Sequence, residues 1–367
     1  MKKNLKVAIV HDWLIGGGAE RVVYELHQMF PDAPIYTSYC TDEWRKKLDG
    51  KVVTGWLQHL GAMRKFIPFL RIWWFTHLDF SGYDLVISST GNGEAKGIRM
   101  PKGTMHICYC HTPTHFYWRQ YSQYLKHPGF GWLDPLARLG LGLLVGPLRR
   151  WDLKASKRPD YFIANSTHIQ QDIKTYYGRE AVVIHPPVDV SRFMGLSAQK
   201  RRGFVTVGRQ VPAKHTDIIV AACTQRGTPL TVVGQGPEHE RLKKLAGPSV
   251  TFAPPASDTE VARYMARAEA FLFASLDDFG ITPIEAIAAG TPVIAYKAGG
   301  ALDYVHEGKT GLFFLEQTAA SLAHAIEHFD SKEFKPATIR ASAAAFAPEV
   351  FRRYMQAFIE EKFASQK

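Results

Sequence analysis

The feature that most constrains the fold is a regular alternation of short apolar segments with longer amphipathic ones, which runs along the chain in two series. Short apolar segments of four to eight residues predict buried strands, and the longer periodic segments between them predict helices. In the first such helix, apolar residues recur on one face at Val22, Val23, Leu26 and Phe30. Strands that alternate with helices predict a mostly parallel, doubly wound sheet. Two series therefore predict an α/β chain of two Rossmann-like domains that face a central cleft.

The predicted strands number five in the first series and six in the second. Those of the first series lie in LKVAIVHDW, YDLVISS, MHICYCH, DYFIANS and AVVIHPPVDV, and those of the second in RGFVTVGRQ, LTVVGQG, VTFAP, EAFLFAS, TPVIAYK and TGLFF. A chain of 367 residues is long enough for two domains of ordinary size. We expect residues 1–195 to form the first domain, 196–345 the second, and 346–367 a C-terminal helix that packs back toward the first.

The charge of the chain is positive and uneven. The formal net charge is +11, and residues 1–195 hold 25 Lys and Arg against 16 Asp and Glu. A basic half of this kind favours an anionic partner such as a phosphorylated substrate or a membrane surface. Nucleic acid ranks last, because the sequence has no zinc-finger, helix-turn-helix or RNA-binding signature.

The cysteines and the apolar runs bear on the compartment. Four scattered cysteines are too few for a disulfide framework in a chain of this length, which indicates a reducing cytoplasm. The longest apolar run, near 139–148, is well short of the roughly 20 residues that a bilayer span needs. The first apolar residues form a strand and not a signal peptide.

Two groups of residues follow predicted strands and are suited to phosphate. Gly16, Gly17 and Gly18 open a helix, whose N-terminal amides and dipole attract anions. They are equally consistent with a plain strand-to-helix turn, and they lack the spacing of a nicotinamide-binding motif. Arg209 and Lys214 follow a strand of the second series and would offset the charge of a departing diphosphate, although a solvated cation pair explains the spacing too.

The segment SLDDFGITPIEAIAAGTPVIAYKAGG places two acids eight positions apart, Asp277 in a loop and Glu285 inside a helix that begins at about Pro283. The amides of Phe279, Gly280 and Ile281 are then expected to be free at the helix entrance. A carboxylate accepts hydrogen bonds from neighbouring hydroxyls, so the two acids suit two polyols, a sugar and a ribose. A loop acid and an unrelated helix-surface acid would look the same.

His111 ends a strand in YCHTPTHFYW, and Phe116, Tyr117 and Trp118 follow it. These aromatic side chains would either stack on a sugar ring or pack in the core. Cys108, Cys110, His106 and His111 share the stretch HICYCH, but a zinc site needs a second pair of ligands that the sequence does not offer. We therefore expect no metal site.

Taken in order, VGRQVPAKH, LTVVGQGPE, DDFGITPIEAIAAGTPVIAYKAGG and GLFF resemble the second half of retaining glycosyltransferases of family four, which have the GT-B fold. The segments HDWLIGGGAERV, YDLVISS, ICYCHTPTHFYW, YFIANS and IHPPVDVSRF are similar to the first half of bacterial mannosyltransferases that build O-antigen and other surface polysaccharides. The resemblance covers nearly the whole chain. It implies an acceptor-side first domain, a second domain that binds a nucleotide sugar, and metal-independent transfer with retention at the anomeric carbon and no cofactor.

The resemblance also implies a role for each candidate residue. Glu285 would bind the donor ribose, and Arg209 and Lys214 the diphosphate. Asp277 and the amides of Phe279, Gly280 and Ile281 would hold the transferred sugar. The glycine turn would lie against the phosphate and sugar, and His111 beside the sugar. Relatives usually carry Glu where this chain has Asp277, whose side chain is one methylene shorter, so Asp278 is an alternative. The implied donor is GDP-mannose and the implied acceptor is a lipid-linked or other glycan.

Two other classes of function share this type of fold, namely a non-hydrolysing sugar-nucleotide epimerase and a catalytically silent nucleotide-sugar-binding protein. Two stretches, 63–80 and 132–151, interleave basic and apolar residues and suggest peripheral attachment to an anionic membrane on its cytoplasmic face, with core packing as the alternative. In the first, we expect Arg64, Lys65 and Arg71 to contact headgroups, and in the second Arg138, Arg149 and Arg150.

Overall fold

The computed structural model describes residues 5–60, 68–126, 131, 134–193, 196 and 200–365, without the side chains of 123 and 124. The contacts divide the chain into two compact units, one of residues 1–186 and 351–367 and one of residues 187–350. The first segment of the first unit ends at 186, nine residues before the domain boundary expected at 195. The second unit ends at 350, five residues after the boundary expected at 345. Each unit is described here by itself.

The first unit contains a seven-stranded parallel sheet in the order β3-β2-β1-β4-β5-β6-β7. Its strands are β1 (Val7–His11), β2 (Ile35–Thr37), β3 (Val52–Thr54), β4 (Leu85–Thr90), β5 (Met105–Cys110), β6 (Tyr161–Ala164) and β7 (Ala181–Val183). Its helices are α1 (Gly18–Met29), α2 (Asp42–Lys47), α3 (Pro68–Thr76), α4 (Tyr121–Lys126), α5 (Asp134–Ala155) and α6 (Thr167–Asp172). Strands β2 and β3 were not among the strands predicted from the sequence.

The second unit contains a six-stranded parallel sheet in the order β10-β9-β8-β11-β12-β13. Its strands are β8 (Phe204–Val207), β9 (Leu230–Val233), β10 (Val250–Phe252), β11 (Ala270–Phe273), β12 (Val293–Tyr296) and β13 (Gly311–Phe314). Its helices are α7 (Thr216–Arg226), α8 (His239–Leu245), α9 (Asp258–Arg267), α10 (Ile281–Ala288), α11 (Ala319–Glu327) and α12 (Pro336–Ala343). All six strands lie where the sequence placed them.

The last helix, α13 (Pro348–Ser365), belongs for most of its length to the first unit. Its buried residues Phe351, Met355, Phe358 and Ile359 lie in the same apolar cluster as Val7 and Ile9 of β1. Burying side chains of this size stabilises the unit by roughly 1.5–3 kcal/mol each. The C-terminal helix is therefore an integral part of the first core.

The two stretches expected at a membrane differ in burial. In α3, the side chain of Arg71 is buried and forms an ion pair with Glu94, 2.6 Å from Nη2 to Oε1. The prediction that Arg71 meets headgroups is therefore wrong, because an arginine in this position neutralises a buried carboxylate. Trp73 of the same helix is 51% exposed. Arg64 and Lys65 lie outside the described residues.

Helix α5 is the more exposed of the two stretches. Leu136, Leu139 and Leu143 recur at helical spacing on one face and are each more than 60% exposed. Within the described residues, no helix combines the length and the apolar character that crossing a bilayer requires.

Candidate active site

In the second unit, the loops after β8 and β11 bring two predicted site residues into contact. Lys214 ends a 3₁₀ turn, Pro212–Lys214, that follows β8, and Asp277 lies in the loop after β11. The Lys214 ammonium forms an ion pair with the Asp277 carboxylate. Parallel neighbouring strands end at one edge of the sheet, which explains how residues so far apart in sequence meet. The cation expected at a diphosphate and the acid expected at a sugar thus compensate each other.

Arg209, unlike Lys214, has no acidic partner among the described residues. It lies two residues beyond β8, its side chain is exposed, and it makes no ion pair or side-chain hydrogen bond with the part of the chain that the structure describes. An exposed guanidinium at a strand end presents a planar fork of donors, which suits phosphate oxygens. Arg209 is therefore available to an anion without first breaking a contact.

The helix that follows Asp277 begins two residues earlier than expected. Helix α10 starts at Ile281 with Gly280 as its N-cap, and Pro283 lies within its first turn. Gly280 has a φ of 88°, and a Cβ there would lie 2.6 Å from the Tyr304 hydroxyl, so both conformation and space require glycine. The ring of Phe279 is buried against Tyr304 and Phe346, which leaves only its backbone for a ligand.

Glu285 lies on α10 and is buried, which rules out its being a helix-surface acid. Arg192, in the 3₁₀ turn Val190–Phe193, places Nη1 3.9 Å from Glu285 and 3.2 Å from the exposed Asp258. The sequence prediction missed Arg192. Its only signal was a cation in the segment VDVSRF, far in sequence from the acid that it accompanies.

A small cavity of about 30 Å³ lies among the ends of β8, β9 and β11, and its lining includes Gly208, Lys214, Thr216, Ser275 and Thr282. The Ser275 hydroxyl is buried and has no hydrogen-bond partner in the described part of the chain. A buried hydroxyl normally has a partner, so the unused Oγ points to a ligand or water group at this position. Ser275 is a second residue that the sequence prediction missed.

In the first unit, the glycine turn is occupied by a side chain of its own helix. The amides of Ile15 and Gly16 donate to Oε1 of Glu20, at 3.3 and 3.0 Å, and Gly17 is the N-cap of α1. A carboxylate at a helix N-terminus takes the place that an anionic ligand would take. The Gly16 amide expected to be free is therefore bonded, and a phosphate reaching this amide has to displace Glu20.

His111 directly follows β5 and is 9% exposed. Its Nε2 lies 2.8 Å from Ser89 Oγ, and its carbonyl accepts a hydrogen bond of 2.9 Å from Asn165 Nδ2. Burial, with a smaller contribution from His11, lowers the pKa of His111 to about 3. The imidazole is therefore neutral at physiological pH.

Asp12, which follows β1, fixes the loop after β4. Its carboxylate accepts hydrogen bonds of 2.8–2.9 Å from Thr90 Oγ1 and from the amides of Gly91, Asn92 and Ala95. A buried carboxylate with this many donors is fully satisfied and holds its surroundings rigidly. The acid beside the glycine turn thus has a structural role.

Of the aromatic residues after His111, Tyr117 is buried, and Trp118 is held by a hydrogen bond from its indole to Asp152. Asp152 is fully buried and accepts hydrogen bonds from Lys96, Thr114, Trp118 and Tyr177. The Trp118 indole is thereby fixed to α5. Of the two interpretations of this aromatic segment, core packing agrees with the contacts of Trp118.

The stretch HICYCH does not gather metal ligands. Its two cysteines are buried, and burial raises the pKa of Cys108 to about 12. Among the described residues, the one group with three ligating atoms within 4.8 Å is His324, Glu327 and His328, exposed on α11. It lies outside the candidate site.

Two family models match the chain in tandem. The model described as Glycosyltransferase Family 4 matches residues 16–192, and the model described as Glycosyl transferases group 1 matches residues 188–345. The first match begins at the glycine turn, and the second contains Arg209, Asp277 and Glu285. The chain therefore combines one domain of each of these two glycosyltransferase models.

Solved structures agree with this assignment at the level of the fold. The chain superposes on sucrose-phosphate synthase from Thermosynechococcus elongatus with a TM-score of 0.70, at 18% identity over 99% of this chain and 100% of that one. It superposes on Anabaena HepE in complex with UDP-glucose with a TM-score of 0.68, at 18% identity over 98% and 100% of the two chains. The predicted α/β architecture of two Rossmann-like domains with the GT-B fold is confirmed.

Curated relatives match part of the chain. It is 29% identical over 222 residues to a D-inositol 3-phosphate glycosyltransferase of Streptomyces scabiei, a match that covers 51% of this chain and 50% of the relative. A second relative of the same name, from Mycobacterium bovis, is 29% identical over 195 residues, which cover 46% and 40% of the two chains. The match thus spans half or less of these relatives, and their names do not mention mannose.

Proposed function

We propose that this chain is an active, retaining glycosyltransferase that transfers mannose from GDP-mannose to a lipid-linked or other glycan acceptor, without a metal or other cofactor. The observation that carries the proposal is the edge of the second sheet, where Arg209 and the Lys214–Asp277 pair lie together after β8 and β11. This edge lies inside the domain that matches the group 1 model. The carboxyl ends of parallel strands are where such sheets bind ligands.

Arg209 and Lys214 supply the positive charge that a departing nucleoside diphosphate needs. As the glycosyl–phosphate bond breaks, negative charge grows on the leaving oxygen, and fixed cations lower the barrier. When the donor binds, Lys214 exchanges the Asp277 carboxylate for phosphate, and Asp277 becomes free to accept hydrogen bonds from the sugar. Two protein cations in this role make a divalent metal dispensable.

Glu285 would hold the ribose of the donor. A carboxylate can accept bonds from both ribose hydroxyls, and its burial on α10 excludes competing water. Arg192 Nη1 lies 3.9 Å from the Glu285 carboxylate and provides a nearby positive charge. Glu285 and Asp277 thus divide the donor between them, one at the nucleotide and the other at the sugar.

The assignment of mannose rests on the resemblance of the first domain to polysaccharide mannosyltransferases. The solved structures of Anabaena HepE contain UDP or UDP-glucose, and the curated relatives are named for D-inositol 3-phosphate. A test of the donor therefore has to compare the two nucleotides, and a test of the acceptor has to include the inositol phosphate.

A membrane-bound acceptor is supported by the exposed leucine face of α5. Leu136, Leu139 and Leu143 stand among the exposed cations Arg138 and Arg150, an arrangement suited to an anionic bilayer surface. Arg149 is partly withdrawn, because its Nε donates to the Tyr117 carbonyl at 2.6 Å. We propose that the protein works in the cytoplasm and attaches peripherally to the inner face of the cell membrane.

The test is a comparison of sugar nucleotides by nucleotide release from the full chain, with EDTA present. GDP-mannose and UDP-glucose are each incubated alone, with a polyprenyl-diphosphate-linked glycan, and with D-inositol 3-phosphate. We expect GDP release from GDP-mannose to be stimulated by the lipid-linked acceptor. If nucleotide is released from UDP-glucose and not from GDP-mannose, the protein is still a glycosyltransferase, but mannose is rejected as the transferred sugar. Conversion of one sugar nucleotide into its epimer without acceptor would reject transfer, and so would release of neither GDP nor UDP under any of these conditions.

A further inference from the structure

Three buried polar side chains meet at the carboxyl ends of three adjacent strands in the first sheet. His11 ends β1 and is paired in register with Ser89 of β4, and His111 follows β5 on the other side of β4. Their exposures are 3%, 0% and 9%. The serine lies between the two histidines and contacts both of them.

The proton on His11 is located by a backbone carbonyl. His11 Nδ1 lies 2.8 Å from the Ser89 carbonyl oxygen, which can only accept a hydrogen bond. Nδ1 must therefore carry a proton. The same nitrogen lies 3.1 Å from Ser89 Oγ, so the N–H group forms a bifurcated hydrogen bond in which the hydroxyl oxygen is the second, weaker acceptor.

The direction of the Ser89 hydroxyl follows from this. Its oxygen accepts from His11, and its single proton remains for His111, whose Nε2 is 2.8 Å away. In the reverse arrangement, with Nε2 as the donor, the buried hydroxyl proton would face only nitrogens that already carry protons within the described part of the chain. An unsatisfied buried donor is costly, so the first arrangement is favoured.

We infer that His11 and Ser89 are positioning residues, which fix His111 as the tautomer that is protonated on Nδ1. His111 then acts as a neutral hydrogen-bond donor and not as a proton-transfer base. The Nδ1 group makes no hydrogen bond with the described part of the chain. That it serves an oxygen of the transferred sugar rests on the proposed function, whereas the tautomer itself does not.

The tautomer can be measured without substrate. Long-range ¹H–¹⁵N correlation spectra of the full chain, labelled with ¹⁵N-histidine, distinguish protonated from unprotonated ring nitrogens, and a His111→Gln variant assigns the signal. At pH 7.5 we expect His111 to carry its proton on Nδ1, and Ser89→Ala to transfer part of that population to Nε2. A wild-type His111 protonated on Nε2, or a tautomer unchanged in Ser89→Ala, would overturn the inference.

Ser88→Ala is a matched control on the adjacent position of β4. Ser88 Oγ lies 2.8 Å from Nε2 of a different buried histidine, His106. This variant should alter the His106 signal and leave that of His111 unchanged. If both serine variants alter both signals, the effect comes from general loosening of the sheet edge, and the positioning role is rejected.

Kinetics then test whether the tautomer matters for transfer. With the sugar nucleotide that the wild type turns over, Ser89→Ala should lower kcat/KM about tenfold, the worth of one misdirected hydrogen bond. His11→Asn offers an amide N–H near the position of Nδ1 and should retain more activity than His11→Leu. Unchanged kcat/KM in Ser89→Ala rejects the role in transfer. If no sugar nucleotide is turned over, the proposed function fails while the spectra still decide the tautomer.

Discussion

At the scale of single residues, the pair formed by Lys214 and Asp277 has consequences of opposite sign for binding and for transfer. In Asp277→Asn, Lys214 loses its compensating charge and meets phosphate without an exchange of partners. We expect nucleoside diphosphate to bind several-fold more tightly and sugar transfer to slow by about 1–3 kcal/mol in activation free energy, the cost of a lost charged hydrogen bond. Calorimetry and steady-state kinetics measure the two effects.

The neighbouring Asp278→Asn variant is the control, since Asp278 is the alternative sugar ligand. It should leave diphosphate affinity unchanged. Weaker diphosphate binding in Asp277→Asn, or a larger loss of transfer in Asp278→Asn, would contradict the assignment of Asp277.

A second prediction concerns Glu285. The change Glu285→Gln keeps the shape and removes the charge, so the ribose hydroxyls meet a weaker acceptor. Affinity for the nucleoside diphosphate should fall by about 1–2 kcal/mol in calorimetry. Asp258→Asn is the matched control, because Asp258 also pairs with Arg192 but is exposed. Equal losses in the two variants would show that the effect comes through Arg192.

At the scale of elements, the helices and strands were easier to predict than their partners. The N-cap of α6 is Ser166, a residue type that favours this position, and its side chain accepts a hydrogen bond from the Ile169 amide. The residues that meet across long separations were not predictable, because periodicity reports which face is buried and not what the face touches. Arg71 illustrates this, since its partner Glu94 lies in a different element. The same reason explains why the site residue Arg192, whose partner is Glu285, was missed.

The exposed face of α5 leads to a third prediction. Replacing Leu136, Leu139 and Leu143 together with Ser removes apolar surface that is already in water, so folding should be little affected while binding to anionic vesicles falls. Co-sedimentation at low salt measures it. A single Leu315→Ser change is the control, because Leu315 is a 70% exposed leucine of the second unit. Unaltered co-sedimentation of the triple variant would mean that α5 does not contact the bilayer.

At the scale of the whole molecule, buried histidines link folding to pH. Burial lowers the pKa to about 3 for His106 and His111 and to about 4 for His115. In the unfolded chain these groups titrate near 6.5, so between pH 6.5 and the folded pKa the unfolded state binds more protons. Their contribution is therefore complete above pH 6.5 and lost on acidification, by about 2 kcal/mol for each at pH 5.

Glu94 changes the stability in the opposite direction, and its contribution on acidification offsets that of about one buried histidine. Burial raises its pKa to about 7 in spite of the Arg71 guanidinium, so at pH 5 the folded state holds the extra proton. Denaturant unfolding at pH 7.5 and 5.0 measures the sum. In His106→Gln the loss at pH 5.0 should shrink by about 2 kcal/mol, and in the exposed control His59→Gln it should not change. If His106→Gln loses as much unfolding free energy between pH 7.5 and pH 5.0 as the wild type does, the buried, neutral state of His106 is contradicted.

The two-unit organisation was predictable because each series of strands contains its own apolar pattern. The sequence located the boundaries between the two units only to within several residues. Pro187 and Phe351, where the units change, lie in segments that fit either domain equally well in sequence. Nor could it foresee that Glu20 occupies the glycine turn, because the same letters, GGGAE, are compatible with an empty or a filled set of amides.

The central claim is that the edge of the second sheet beyond β8 handles the diphosphate of a sugar nucleotide. The measurement that tests it most directly is the turnover rate of Arg209→Ala beside that of Arg202→Ala, with the donor that the wild type uses. Both variants lose one exposed cation, but Arg202 precedes β8 and Arg209 follows it. Loss of a contact to the leaving group costs roughly 3 kcal/mol, so Arg209→Ala should turn over on the order of a hundredfold more slowly while Arg202→Ala stays near the wild type. Equal rates in the two correctly folded variants would contradict the account.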